Sequence, residues 1–350
     1  MSTPALLPHT PWRRLVGVGA ALAAIVTIIT LAFLWPTVTS EAKDLPVAVA
    51  GPPAAVAPVE QGLSQRAPGV FEVVQAVDRA AAVDLIETRD VYGAVVLGAS
   101  PEILTSTAGS AVVAQQLAAL SPVLAEQVGA PVPVTDVVPL GSGDPRGAIL
   151  GLVTLPLVIG GMIGGILVSV LVVGVWRRLT AVAASSVFGG LAVAGVLQGW
   201  FGAIAGSYWV NATIIGLAMF GIAATIVGFV SVVGRPGIAA GPVLFLLIAN
   251  PLAAAAQPWQ MLLVPFGAIG QWMPPGAAAA LLRDESYFPR ADTTHLWLAL
   301  VSWAVLGVVL SVVGHFKDTG AASRAALEEA QETAEHESEA HHPTHVAVDA

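Results

Sequence analysis

Residues 250–290 read NPLAAAAQPWQMLLVPFGAIGQWMPPGAAAALLRDESYFPR. No charged side chain occurs from Ala253 to Leu282, so the stretch belongs in or against a membrane. Yet Pro258, Pro265, Pro274 and Pro275, with Gly267, Gly270 and Gly276, break any single straight helix through it. A broken apolar segment sits at membrane depth only where protein or a water-filled cavity covers its backbone. The expected form is a re-entrant hairpin over about residues 257–285, with Asn250, Gln257, Gln271, Pro274, Pro275 and Gly276 along the hairpin or a path beside it.

The rest of the chain supports a membrane setting. Of 350 residues, 56% are hydrophobic and 11% charged, where a soluble domain carries about 25% charged residues. Between Arg146 and Arg283, Tyr208 apart, the only ionisable side chains are Arg177, Arg178 and Arg235. The acid is concentrated in residues 37–148 and 318–350, so the net charge of −9 belongs to water-exposed parts and points to no nucleic-acid partner. Cysteine is absent, which excludes disulfides, thiolate metal sites and a cysteine nucleophile.

Residues 1–14 form a short cytoplasmic N-terminus ending in Trp12-Arg13-Arg14, and residues 15–36 an uncleaved signal anchor. A signal peptide would have a shorter apolar core and a small-residue cleavage site. Residues 37–147 alternate. Leu45–Val49 and Gly69–Val74 read as strands, Val77–Thr88 as a helix and Val91–Leu97 as a buried strand; Ser110–Val128 reads as a helix and Pro131–Pro139 as extended. That is one extracytoplasmic α/β or α+β domain. Within it, Arg79, Asp84, Arg89 and Asp90 read as solvated faces.

Five further spans fall in residues 148–315: Ala148–Val175, Leu179–Gly206, Val210–Val233, Gly237–Ala256 and Leu296–Gly314. With the N-terminus inside, Arg177, Arg178, Arg235 and Lys317 all fall on the cytoplasmic side. The chain is thus expected to be an α-helical polytopic membrane protein of about six transmembrane helices with an inserted extracytoplasmic domain. It would sit in the plasma membrane with both termini cytoplasmic. Residues 316–350 make an acidic, largely disordered tail, with a surface helix over Ala321–Ala340 and His336, His341, His342 and His345 solvated rather than metal-bound.

The spans hold no acid or histidine relay of the kind a proton-coupled pump needs, and His295 lies only at the edge of the last. No phosphate-binding G-x-x-x-x-G-K-[ST] loop occurs; Gly141-Ser142-Gly143-Asp144 lacks the lysine. The chain itself therefore needs no cofactor and has no catalytic or metal-binding constellation. Gly160, Gly161, Gly164 and Gly165 form overlapping G-x-x-x-G pairs, which pack helices within one chain or across a homodimer or heterodimer. Gln198, Asn250, Gln257 and Gln271 either line an entrance or bond between helices.

An anchor, an extracytoplasmic α/β domain and a compact set of spans resemble the membrane subunits of ABC-2 type transporters. The YhgE/Pip-like proteins share that layout. Local likeness lies in Val138-Pro139 through Asp144-Pro145-Arg146-Gly147 into Leu155–Gly160, and in Asn250-Pro251 through Gln271-Trp272-Met273-Pro274-Pro275-Gly276-Ala277 to Arg283. The resemblance implies a permease-like exporter subunit that moves a lipophilic or envelope-related substrate, is not itself an enzyme, and uses ATP on a separate ATPase. Trp12, Arg13, Arg14, Trp176, Arg177 and Arg178 would contact that ATPase. The family usually has an amphipathic helix before the first span and a coupling helix between the second and third. Here the N-terminal segment is short and the second turn is little more than Trp176–Thr180. The other reading is a non-transporting envelope protein whose outer domain binds a partner or scaffolds cell-wall assembly.

Overall fold

A computed structural model describes residues 11–340. The chain is mostly helical around one small sheet domain. Among the described residues, five helices are long and apolar enough to cross a membrane: Trp12–Val38, Ala148–Leu171, Val175–Trp200, Tyr208–Val233 and Thr294–Lys317.

The sheet domain contains strands β1 (Leu45–Ala50), β2 (Phe71–Ala76), β3 (Gly93–Val96), β4 (Glu102–Thr105) and β5 (Val134–Asp136) in the order β2-β1-β3-β4-β5. β1 is parallel to both of its neighbours, while β3 and β4 pair antiparallel. Helices cover both faces of β1, so five of its six residues are buried, and its sequence is continuously apolar rather than alternating.

Five of the expected elements are present in the sheet domain, with ends shifted by a few residues, the extended Pro131–Pro139 holding β5. The long helix expected over Ser110–Val128 is instead two, α4 (Ala111–Ala118) and α5 (Ser121–Val128), because Pro122 fits only the first turn of a helix. Ser110 caps α4 by accepting from Val113 N (3.3 Å), and Gly129 ends α5 in the left-handed conformation. Two further elements appear where none was expected: α2 (Pro53–Arg66), which carries Pro58 inside it, and β4. In α3 (Arg79–Glu87) the Asp78 carboxylate accepts from Ala81 N at 2.8 Å.

The bundle begins with α1 (Trp12–Val38), which buries no residue against the remainder of the described chain. Asp144 accepts from Ala148, Ile149 and Leu150 N (2.8–3.1 Å), so the Gly141–Asp144 turn caps α6 (Ala148–Leu152). α6 runs on into α7 (Thr154–Leu171). After α8 (Val175–Ala194) and a π turn at Gly195–Trp200, α9 (Tyr208–Val233) forms the hub, packed against α7, α8 and the final helix. Where the fifth of the six expected crossings, Gly237–Ala256, was placed, the chain makes α10 (Gly237–Gly241), a π segment (Pro242–Ala249) and α11 (Asn250–Leu252), an apolar unit of only Gly237–Leu252. Pro242 and Pro251 cannot donate backbone hydrogen bonds, which shortens and loosens this unit.

Of the four expected packing glycines of α7, Gly161 and Gly165 are buried and Gly160 and Gly164 half-buried. A Cβ on Gly161 would meet Ile222 Cβ at 3.0 Å, and one on Gly165 the Ala223 oxygen at 2.9 Å, so both serve the α7–α9 contact. Gly160 faces Met219 and Gly164 faces Ser185. The last helix, α14, runs unbroken from Thr294 to Ala340. The surface helix expected over Ala321–Ala340 is present as the continuation of α14, so the part of the tail up to Ala340 is helical, as its run of Ala and Glu favours. His341, His342 and His345, and residues 1–10 of the N-terminal segment, lie outside the described residues.

Candidate functional site at the junction of hairpin and sheet

Beyond α11 the chain turns through Ala254, a non-glycine residue in the left-handed region (φ 50°). It then meets the sheet domain at once. Ser40 Oγ donates to Gln257 Oε1 (3.2 Å), Tyr92 Oη to Gln260 Oε1 (2.9 Å) and Glu41 N to Met261 O (3.1 Å). Met261 inserts among Leu45, Val47, Tyr92 and Ile103, so part of the sheet domain's core comes from a residue at least 158 positions away from each of them. Met261→Ala is expected to cost about 2–3 kcal/mol and Met261→Leu less than about 1. Unfolding of the protein in lipid nanodiscs, followed by tryptophan fluorescence, measures both.

From there the chain descends through α12 (Phe266–Gln271), turns at Trp272-Met273 and returns as α13 (Pro274–Tyr287). The turn lies beside Trp303, whose Nε1 donates to Trp272 O at 2.8 Å. Trp303 is nine residues into α14, which places the turn roughly 13 Å along that helix. Ala277, Ala278, Leu281 and Leu282 are buried in the same core cluster as Ile214 and Ile215. At its upper end α13 regains the sheet domain. Asp284 pairs with Arg89, and Gly141 N donates to Tyr287 Oη at 3.2 Å. Just beyond α13, Arg290 pairs with Asp84 and Glu87. Both ends of residues 257–285 are thus fastened to one domain, and the excursion between them is a closed loop packed into the helical bundle.

The loop is close-packed backbone to backbone. A Cβ would lie 1.9 Å from Trp259 O at Gly267, 1.7 Å from Leu252 O at Gly270 and 2.1 Å from Gly270 O at Gly276. Pro274, Pro275 and Gly276 fill the buried first turn of α13, where proline loses no hydrogen bond. Gln271 Nε2 donates to Ala253 O (3.3 Å), so it closes the neck of the loop. Asn250 Oδ1 is buried and has no hydrogen-bond partner among the described residues.

A polar cavity of about 230 Å³ lies where the loop meets the sheet domain. Arg89, Tyr92, Gln260, Gln271, Asp284 and His295 line it. Gln271 therefore reaches this space, whereas Asn250 does not line it. Burial pushes the Tyr92 hydroxyl up from its ordinary range and also raises Asp284, while Arg89 acts against both shifts. Burial, helped by the neighbouring Arg89, lowers Arg283 to about 10, and its Nη2 donates to Ala255 O at 2.7 Å. Two guanidinium groups and one carboxylate share a poorly hydrated space, where an unpaired member is costly.

Arg89 corrects the sequence reading of it as a solvated residue. It is largely enclosed, sits in the left-handed region (φ 63°), lies 5.7 Å over the Phe288 ring and bonds the buried Asp284. Arg79 and Asp84 are exposed but paired, with Glu102 and Arg290 respectively. Charge patterning within residues 37–147 does not reveal the Arg89–Asp284 pair, because its partners are 195 positions apart. The one available signal is Arg283-Asp284 closing a long uncharged run.

At the opposite end of the bundle, Arg178 Nε and Nη2 donate to Val172 O (2.7 Å) and Ser169 O (3.0 Å), closing the C-terminus of α7. Lys317 does the same for α9 at Val232 O (3.2 Å). Trp176 and Arg177 are exposed there, as are Trp12, Arg13 and Arg14 at the far end of α1. Of the six residues expected to meet an ATPase, Arg178 is thus engaged within the chain. Against protein-family models, curated proteins and solved structures, the chain gives no match.

Proposed function

We propose that this chain is a permease-like membrane subunit of the ABC-2 type, moving a lipophilic or envelope-related substrate with energy from a separate ATPase. One observation carries the reading. A broken apolar loop leaves the sheet domain, enters the bundle to roughly 13 Å beside the last span, and returns to the same domain. Non-helical backbone of this kind is tolerated at membrane depth where protein covers it or where it lines a path. In this reading the loop is re-entrant and the sheet domain lies outside. The basic end, with Arg177, Arg178, Arg235 and Lys317, faces the cytoplasm together with both termini.

The chain lacks cysteine, so single-cysteine variants test the orientation directly. Val77→Cys and Asp292→Cys are expected to react with a membrane-impermeant maleimide in intact cells, and Arg235→Cys only after permeabilisation. Labelling of Arg235→Cys in intact cells overturns the topology. Coupling is tested by affinity purification from detergent. An ATPase carrying a phosphate-binding loop is expected to be recovered, in lower yield with Arg177→Glu.

A second reading, a non-transporting envelope protein, is favoured by one feature. The turns at the basic end, Val172–Gly174 and Gly234–Pro236, offer no helix for a partner to push against. Repeated recovery of envelope proteins without an ATPase decides for it.

A further inference from the structure

The strand order of the sheet domain carries a second site. From β1 the chain crosses to β2 on one side, then back across to β3 on the other, so β1 and β3 flank a switch point in a largely parallel sheet. In open α/β sheets the carboxyl ends of the strands part at such a point and leave a crevice where ligands bind. The crevice is present: a cavity of about 730 Å³ lies over the ends of β1, β2 and β3. It opens away from the bundle, since the other end of β1, at Pro46, lines the polar cavity beside the hairpin.

We infer that this crevice binds a small molecule with an anionic group on an apolar body. Its volume is that of a small-molecule site. The floor and walls are apolar, formed by Gly51, Pro52, Pro53 and Leu97. Gly51 holds φ +151°, and a Cβ there would meet Leu97 at 3.0–3.1 Å, so the floor is fixed backbone rather than mobile side chain. At the mouth stands Val77, 88% exposed, an apolar side chain left uncovered among the described residues.

The polar wall is formed by Gln75, Asp78 and Arg79, with the cation's unused donors facing the ligand space. Asp78 is occupied as the cap of α3, accepting from Ala81 N. Glu102 takes the Nε and Nη2 of Arg79. A guanidinium has five N–H donors, so the Nη1 edge and one Nη2 hydrogen are left for a ligand. The N-terminal end of α3 adds partial charge of the same sign. A carboxylate and a phosphate both satisfy this wall.

Saturation-transfer difference NMR on the full chain in lipid nanodiscs tests the site with phenylacetate, phenyl phosphate and neutral phenylacetamide. The three probes share one apolar body. At least one anion is expected to receive at least about fivefold more saturation than the amide, and the stronger anion tells carboxylate from phosphate. Arg79→Ala is expected to bring the anion down to the amide level, with Arg79→Lys intermediate. Val77→Trp, which fills the mouth from an exposed position, is expected to remove the signal while the melting temperature stays at the wild-type value. Equal saturation of acid and amide, full signal in these variants, the same signal from empty nanodiscs, or no binding by any probe each overturns the inference.

Discussion

Gly270→Ala is expected to destabilise the protein by about 3 kcal/mol, the upper end of what overpacking a tight site costs. The added Cβ would lie 1.7 Å from Leu252 O and 2.6 Å from Leu252 C, which are backbone atoms held by α11. No rotamer change relieves this contact, so α12 must move by more than 1 Å from the neck of the loop. That shift strains the bond from Gln271 to Ala253 O and the bond from Trp303 to Trp272 O together. Gly199→Ala is the control, because none of the described residues lies within 4 Å of its added Cβ; it is expected to change stability by less than about 0.5 kcal/mol. Unfolding in nanodiscs compares the two. If Gly270→Ala unfolds with wild-type stability, the loop is not packed as described.

Arg89→Ala is expected to cost about 3–5 kcal/mol, because it leaves the Asp284 carboxylate buried without its cation. Most of that loss comes from the stranded charge and not from the pair itself. The double variant Arg89→Met with Asp284→Leu is therefore expected to be more stable than either single change, and a double-mutant cycle should give a coupling of at least about 2 kcal/mol. Arg89→Gly separates charge from backbone. It removes the cation but relieves a left-handed conformation that costs an L-residue roughly 1 kcal/mol, so it should be milder than Arg89→Ala. Additive single and double variants would show that the two side chains are not coupled.

Local signals in the sequence were reliable wherever one short segment determines its own geometry. The proline and glycine load of residues 250–290 excludes a straight helix, and the chain there is a broken loop. The apolar run Leu45–Val49 reads as a strand, and β1 covers it and one residue more. α2 was hidden by Pro52, Pro53 and Pro58, two of which occupy positions at its start that helices accept. β4 was hidden by its length of four residues. The short unit Gly237–Leu252, expected as the fifth span, was overestimated because hydropathy counts residues and does not register Pro242 and Pro251. The junction was hidden for another reason: Arg89, Met261 and Asp284 meet only through tertiary structure, and the one local mark is Arg283-Asp284 at the end of an uncharged run.

The separation between Arg89 and Asp284 also sets an order in time. The sheet domain is complete by about residue 140, and Asp284 follows Arg89 by 195 residues. At ribosomal speeds of about 5–20 residues per second, that is a delay of roughly 10–40 s. Through that interval Arg89 waits in water beside a core that still lacks Met261. The bond to Asp284 is then made only after α7, α8 and α9 have been synthesised and the loop has been delivered. The junction is a late closure in biogenesis, and a chain that stalls or inserts wrongly before residue 284 leaves an open seam in the sheet domain for quality-control proteases to find.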